Sequence, residues 1–297
     1  MTQTEKQKMM LTAPVEGLIC RMAVPTIISM LVTALYNMAD TYFVGKLGSN
    51  AATGAVGVAL PLMAIIQATG FFFGHGSGNS ISRHLGAGDV EDAEKLAACG
   101  FAGAIGAGLI ICVLGQLLIE PLARLLGSTA TILPYAKEYM RYILFAAPYM
   151  TAALVLNNQL RLQGHANFAM VGITSGAVLN VALDPLFIFT FNMGVAGAAA
   201  ATALSQLVSF VILLWALKRA GCVPLRFRYV RCMPSVMGQI FGGGLPSLVR
   251  QGLASLSVMM LNRAAGPYGD AAIAAMSIVG RISQFAGSAV IGFGQGF

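Results

Sequence analysis

Residues 25–48 read PTIISMLVTALYNMADTYFVGKLG. From Met22 to Ala39 nothing is charged, and then Asp40 appears. A helix needs about 20 apolar residues to cross a bilayer. This stretch is long enough only if Asp40 lies inside the membrane or just under its surface. An acidic side chain there costs roughly 2.5–3.5 kcal/mol on insertion scales. Asp40 therefore needs a structural partner or a use. Tyr36 and Asn37 precede it by one helical turn on the same face.

The rest of the composition agrees with a membrane setting. Of 297 residues, 57% are hydrophobic and 10% charged, and the mean hydropathy is +0.76. A soluble domain carries about 25% charged residues, so this composition cannot cover a water-facing surface. The net charge of +7 does not point to nucleic acid, because the basic residues fall in short segments between apolar runs. Cys20, Cys99, Cys112, Cys222 and Cys232 form no CxxC and no metal spacing, so neither a disulfide framework nor a metal site is implied. His75, His84 and His165 share no metal spacing either, and read as loop or interface residues. The opening MTQTEKQKMMLTAP lacks a cleavage pattern, and no signal peptide is expected.

Eight apolar spans follow, at 18–45, 51–78, 95–118, 138–160, 167–191, 195–217, 237–263 and 270–295. The fold class is an all-α polytopic membrane protein, since irregular backbone cannot face lipid. With the N-terminus cytoplasmic, eleven basic residues lie inside (Lys6, Lys8, Arg21, Arg83, Lys95, Arg161, Lys218, Arg219, Arg226, Arg228 and Arg231). Five lie outside, namely Lys46, Arg124, Lys137, Arg141 and Arg263. That bias predicts the N-in orientation. Arg250 and Arg281 fall within apolar runs, suited to snorkelling or to lining a cavity. In the loop at 82–95, Gly86 and Gly88 suit a turn. Asp89 is an N-cap, Asp92 takes the capping-box position, and Glu91 and Glu94 lie in the first turn. Residues 120–137 predict a short surface helix and a loop.

The chain repeats itself. At a shift of 221, Pro25 falls on Pro246, Gly45 on Gly266, Gly48 on Gly269 and Ala51 on Ala272. At 220, residues 73–76 (FGHG) fall on 293–296 (FGQG). One unit thus holds six spans, and an even number of spans gives parallel copies related by an axis along the membrane normal, a transporter architecture. The expected organisation is a cytoplasmic segment at 1–17 and a complete six-helix lobe at 18–217. A basic cytoplasmic segment at 218–236 follows, then the first two helices of a second lobe at 237–297. By this arithmetic the chain reads as an incomplete form of a longer two-lobed protein, and purified alone it is expected to be less stable than the longer form.

A second acid lies in span five, where Asn180 and Asp184 share a face at i and i+4 and Pro185 follows. Proline removes a backbone N–H and frees the Val181 carbonyl. Counting from the span ends puts Asp40 and Asp184 within about 3 Å in depth, with Thr202 of span six at a similar level. Two carboxylates, an amide, hydroxyls and a freed carbonyl form an oxygen-only set, which suits a proton or a hard cation such as Na⁺. Tyr36 shares the Asp40 face, and Tyr139 opens span four. Asn157 and Asn158 count to the inner end of span four, at a different depth from the acids.

These residues resemble the multidrug and toxic compound extrusion (MATE) family. The likeness rests on Pro25, Tyr36 and the 40–48 run, on Arg83 with the 86–89 loop and Ala93, on Asn180, Asp184 and Pro185, and on the repeated Pro246-Ser247. It implies a twelve-helix, two-lobed exporter of small cationic amphiphiles, exchanging them for Na⁺ or H⁺ as coupling ion, with no other cofactor and no enzymatic activity. It implies a multi-pass protein of the cell (inner) membrane, monomeric at full length, whose partners are its substrates and the lipid bilayer. The family's cation site carries over to Asp40, Asn180, Asp184 and Thr202, and also to Tyr36, Tyr139 and Asn157. In the second copy Leu261 stands where Asp40 does, which confines the charged site to the first lobe. Three other readings compete. One is a lipid or polyprenyl-linked flippase of related architecture. Another is a membrane aspartyl protease, from the Gly-x-Gly-Asp form of 86–89. The third is a channel, which no filter-like repeat supports.

Overall fold

The computed structural model describes residues 15–296. Eight long helices run through it, with no strand among the described residues. They are α1 (Val15–Gly45), α2 (Asn50–Gly86), α3 (Val90–Leu117), α5 (Leu133–Leu162), α6 (Ala166–Pro185), α7 (Gly194–Arg219), α8 (Met233–Ala265) and α9 (Asp270–Gly296). The short α4 (Ile119–Leu125) links α3 to α5, as the 120–137 stretch predicts. Six of the long helices are apolar and long enough to cross a membrane by length and composition, namely all but α8 and α9. α1 is described from Val15 onward. Residues 1–14, including Lys6 and Lys8, and the side chain of Arg21 lie outside the described residues.

The repeat is visible in the backbone. Gly48 after α1 and Gly269 after α8 both take positive φ, +69° and +91°. That left-handed geometry is open to glycine at no steric cost, and it re-aims the chain into α2 and α9 at equivalent places. Pro25 and Pro246 both lie inside their helices. Packing crosses the boundary between the copies. α2 packs along α8, and α1 along α9, whereas α8 and α9 touch each other little. This reciprocal exchange of first and second helices is what a two-fold relation between copies produces.

Lipid tails are as apolar as leucine, so close van der Waals packing through small residues holds such helices together. The tightest seam is between α2 and α8. A Cβ added at Gly76 would lie 2.2 Å from the Ile240 carbonyl oxygen, and one at Gly244 would lie 2.2 Å from the Phe72 carbonyl oxygen. Beside it, His75 Nδ1 lies 2.7 Å from Ser247 Oγ, and His75 Nε2 lies 3.2 Å from Arg161 Nη2. Arg161 also donates to Asn158 Oδ1 at 2.6 Å. His75 is thus an interface residue in the middle of α2, not a loop residue.

Helix ends follow local chemistry. Asp89 caps α3, accepting from the Asp92 amide at 3.3 Å. The capping box does not close, because the Asp89 amide donates to the His84 carbonyl at 2.8 Å, while Asp92 Oδ1 takes a hydrogen bond from Lys95 Nζ at 2.7 Å. A neighbouring ammonium offers a carboxylate a charge-assisted bond, stronger than one to a neutral amide. α6 does not stop at Pro185. It continues as a π-helical turn over Leu186–Thr190, where the Phe191 amide reaches the Leu186 carbonyl at 3.0 Å. α7 passes so close to this turn that a Cβ on Gly197 would lie 2.7 Å from the carbonyl carbon and oxygen of Phe187.

Candidate functional site

Polar side chains on α1 are mostly satisfied by the helix itself. Ser29, Thr33, Asn37 and Thr41 each donate to the carbonyl four residues back, at 2.8, 2.8, 2.9 and 3.1 Å. Asn37 is therefore occupied and does not join its neighbour in a site. Asp40 is 2% exposed. Its hydrogen bond comes from another helix, α5, where Tyr139 Oη donates to Asp40 Oδ2 at 3.5 Å.

The second acid is built from two helices. Asn180 Nδ2 donates to Asp184 Oδ1 and to Thr202 Oγ1, each at 3.3 Å. Asp184 is 0% exposed, Asn180 1% and Thr202 2%. The i, i+4 spacing brings the first pair together, and α7 brings the hydroxyl. Asp40 and Asp184 lie within electrostatic range of each other, and both act on Tyr36 and Tyr139. Among the described residues, three oxygens in the set have no hydrogen-bond partner, namely Asp40 Oδ1, Asn180 Oδ1 and Asp184 Oδ2. Buried polar atoms are normally paired, because leaving one unmade costs about 1–3 kcal/mol. Unmade acceptors on carboxylate and amide groups are the donor set that a proton or a hard monovalent cation fits.

Tyr36 extends this cluster toward a cavity. Gln206 Nε2 donates to Tyr36 Oη at 3.4 Å. Tyr36 and Gln206 line a cavity of about 250 Å³ together with Thr33, Asn157, Arg250 and Gln284. Asn157 is brought to this cavity rather than to the acids. Its amide donates to the Ala169 carbonyl at 3.1 Å, and no hydrogen bond joins it to either carboxylate among the described residues. Arg250 lines the same cavity, deciding between its two expected places.

The expected site set leaves out Gln206 and gives Arg281 only a snorkelling or cavity-lining place. Gln206 sits one turn beyond Thr202, a spacing that would have flagged it. Arg281 of α9 is 4% exposed, and its charge acts on Asp40, Tyr36 and Tyr139. An arginine inside an apolar run is itself a signal for a buried acid to pair with. The Gly-x-Gly-Asp segment does not join the acids. Asp89 is a partly exposed helix cap 3.4 Å from His84, at the far end of the 37-residue α2 from the 46–49 loop.

Fold and site together define a polytopic helical membrane protein with a buried acid–amide–hydroxyl cluster beside an internal cavity. The family model MatE matches residues 25–186, more than half of the chain, and the chain belongs to that family. The multidrug export protein MepA of Staphylococcus saprophyticus is 30% identical over 275 residues, 92% of this chain and 61% of its own length. MepA of Staphylococcus aureus is 28% identical over 285 residues, 96% of this chain and 63% of its own length. Among solved structures, the MATE multidrug transporter DinF-BH superposes with a TM-score of 0.90 at 31% identity. That match covers 96% of this chain and 64% of that one. This chain therefore spans less than two thirds of the length of these relatives.

Proposed function

We propose that the protein is a secondary active multidrug exporter, which antiports H⁺ or Na⁺ against small cationic amphiphiles across the cell membrane, with its N-terminus cytoplasmic. The observation that carries this reading is the buried cluster of Asp40, Asn180, Asp184 and Thr202 with three unpaired oxygens, joined through Tyr36 to a cavity. The multidrug export named for its relatives supports it.

The chemistry follows from the arrangement. A mobile cation entering the cluster satisfies the unpaired oxygens of α1 and α6 at once, drawing those helices together. Binding must favour one helix arrangement over another, or it drives nothing. The π turn after Pro185 and the proline inside α1 are the deformable points, since each lacks a helical hydrogen bond. Tyr36 lies on both the cluster and the cavity, so a shift of α1 changes the cavity wall. Met30, Met63 and Met150 give that wall an adaptable apolar surface.

The test is export of a fluorescent cationic dye from proteoliposomes under imposed Na⁺ or pH gradients. Asp40→Asn and Asp184→Asn should each abolish gradient-driven export while leaving dye binding largely intact. The double variant should be no worse than either single, because residues acting as a unit are non-additive. Leu261→Ala should be mild. Near-normal export in both single variants, with unchanged ion dependence, would refute the reading.

A further inference from the structure

We propose that Arg281 is a built-in counter-ion for the Asp40–Asp184 pair, so that the pair takes up a single monovalent cation. This rests on reading the cluster as the ion site.

The charged and titratable groups around the cluster come from four helices. α1 gives Tyr36 and Asp40, α5 gives Tyr139, α6 gives Asp184 and α9 gives Arg281. α7 contributes only the uncharged Thr202 and Gln206. Two buried carboxylates alone would leave two uncompensated charges in a low-dielectric interior, which is prohibitively costly. Arg281 reduces that to one. A single Na⁺ or proton then brings the cluster to neutrality.

The geometry shows that the arginine compensates without filling the site. No carboxylate lies within salt-bridge distance of it among the described residues. Among the described residues, Arg281 Nε and Nη2 have no hydrogen-bond partner, and neither does Asp40 Oδ1. Its charge thus reaches Asp40 across a gap, leaving carboxylate oxygens open to a mobile ion. The helix that carries the arginine is closely packed on both sides of it. One turn earlier, Ser277 presses on α2 so tightly that a Cβ on Gly57 would lie 2.8 Å from its Cβ. One turn short of the described end, Gly292 meets α1, where a Cβ would lie 2.7 Å from Ile27 Cα.

A consequence follows for coupling. When a mobile cation neutralises the pair, Asp40 attracts Arg281 less. The hold of α1 on α9 weakens, so ion binding is felt outside the first six-helix unit. Arg281 is a positioning residue in this scheme, acting through Asp40.

The charge arithmetic makes the experiment specific. The purified chain is dialysed against ²²Na⁺, and proton uptake is followed by potentiometric titration in parallel, with gel filtration as a folding check. The wild type should bind one cation per chain, and Asp40→Asn, already balanced by Arg281, should bind none. Arg281→Gln should bind a cation about tenfold more tightly or take up a second one, and Arg281→Lys should resemble the wild type. Asp40→Asn combined with Arg281→Gln should regain the single cation that Asp40→Asn loses, an effect a purely structural arginine would not produce. If that double variant stays empty, the inference is overturned, whatever Arg281→Gln alone does. If the wild type takes up no Na⁺, and no proton that Asp40→Asn and Asp184→Asn remove, the reading of the ion site itself fails.

Discussion

Replacing Gly244 with alanine tests whether the α2–α8 seam holds the two copies together. The added Cβ would stand 2.2 Å from the Phe72 carbonyl oxygen and 2.9 Å from its carbon. An ordinary contact between such atoms needs about 1 Å more. The obstacle is helix backbone, so no side-chain rotation relieves it, and α2 and α8 must separate. Overpacking of this kind costs about 1–3 kcal/mol. Alanine returns about 0.5–1 kcal/mol over glycine in a helix interior. The net loss is therefore about 0–2.5 kcal/mol, or a thermal midpoint lower by up to roughly 10 °C at 2–4 °C per kcal/mol. Gly242 supplies the control, since it lies two residues away on the same helix with nothing within 4 Å of an added Cβ. Gly242→Ala should leave the midpoint unchanged or raise it slightly. The assay is thermal unfolding of the purified chain in one detergent, followed by a thiol-reactive fluorophore. Equal midpoints for the two alanine variants would refute the reasoning, because helix propensity alone cannot separate them.

Gly197→Ala should push the π turn at 186–190 away from α7 and carry Asp184 with it. Cation binding should weaken by at least about tenfold, the equivalent of ~1.4 kcal/mol, while the thermal midpoint moves less; unchanged binding would detach the turn from the site. Glu120 accepts from Lys137 Nζ at 3.0 Å and Arg124 Nη2 at 3.1 Å, and these bonds, Lys137 first, hold its carboxyl below its ordinary range. A depressed acid contributes stability above its unfolded pKa and loses it as pH falls through the folded value. The protection of the α4 amides, as the ratio of intrinsic to observed hydrogen-exchange rate, should therefore fall in acid, and Lys137→Gln should flatten that dependence; an α4 whose protection does not change with pH would count against the bridge. Single cysteines in a cysteine-free background should label from outside at 46–50, 119–137, 192–194 and 264–269, and an outside-labelled residue in 220–234 would overturn the N-in orientation.

The helices were legible because each is an apolar run ended by glycine, proline or a cap. Even the repeat could be read, since Gly48 and Gly269 occupy backbone geometry that glycine alone enters freely. The acid pair was partly legible too. Asn180 and Asp184 share a helix face by periodicity, and depth counting put Thr202 and Asp40 beside them. What periodicity cannot supply is which helix lies against which. That is why Arg281 reads from the sequence only as a snorkelling or cavity-lining residue, since α9 meets α1 through packing across the two copies. Depth counting kept Asn157 apart from the acids while the resemblance placed it in the cation site, and among the described residues no hydrogen bond joins it to either carboxylate. The side chain nonetheless joins the cavity that Tyr36 opens onto, which straight-helix arithmetic did not anticipate. Asp92 does not close the capping box because the Asp89 amide turns back to the His84 carbonyl, a local turn that spacing alone does not show.

The seam between α2 and α8 also sets a timetable for biogenesis. His75 and Ser247 face each other across 172 residues of chain. At about 5–20 residues per second of synthesis, Ser247 emerges roughly 10–35 s after His75. Throughout that interval α2 sits in the bilayer with its glycine groove open. α1 waits still longer for α9. The helices made first are thus finished by helices made much later, and the open face of α2 must be tolerated by lipid or shielded in the meantime.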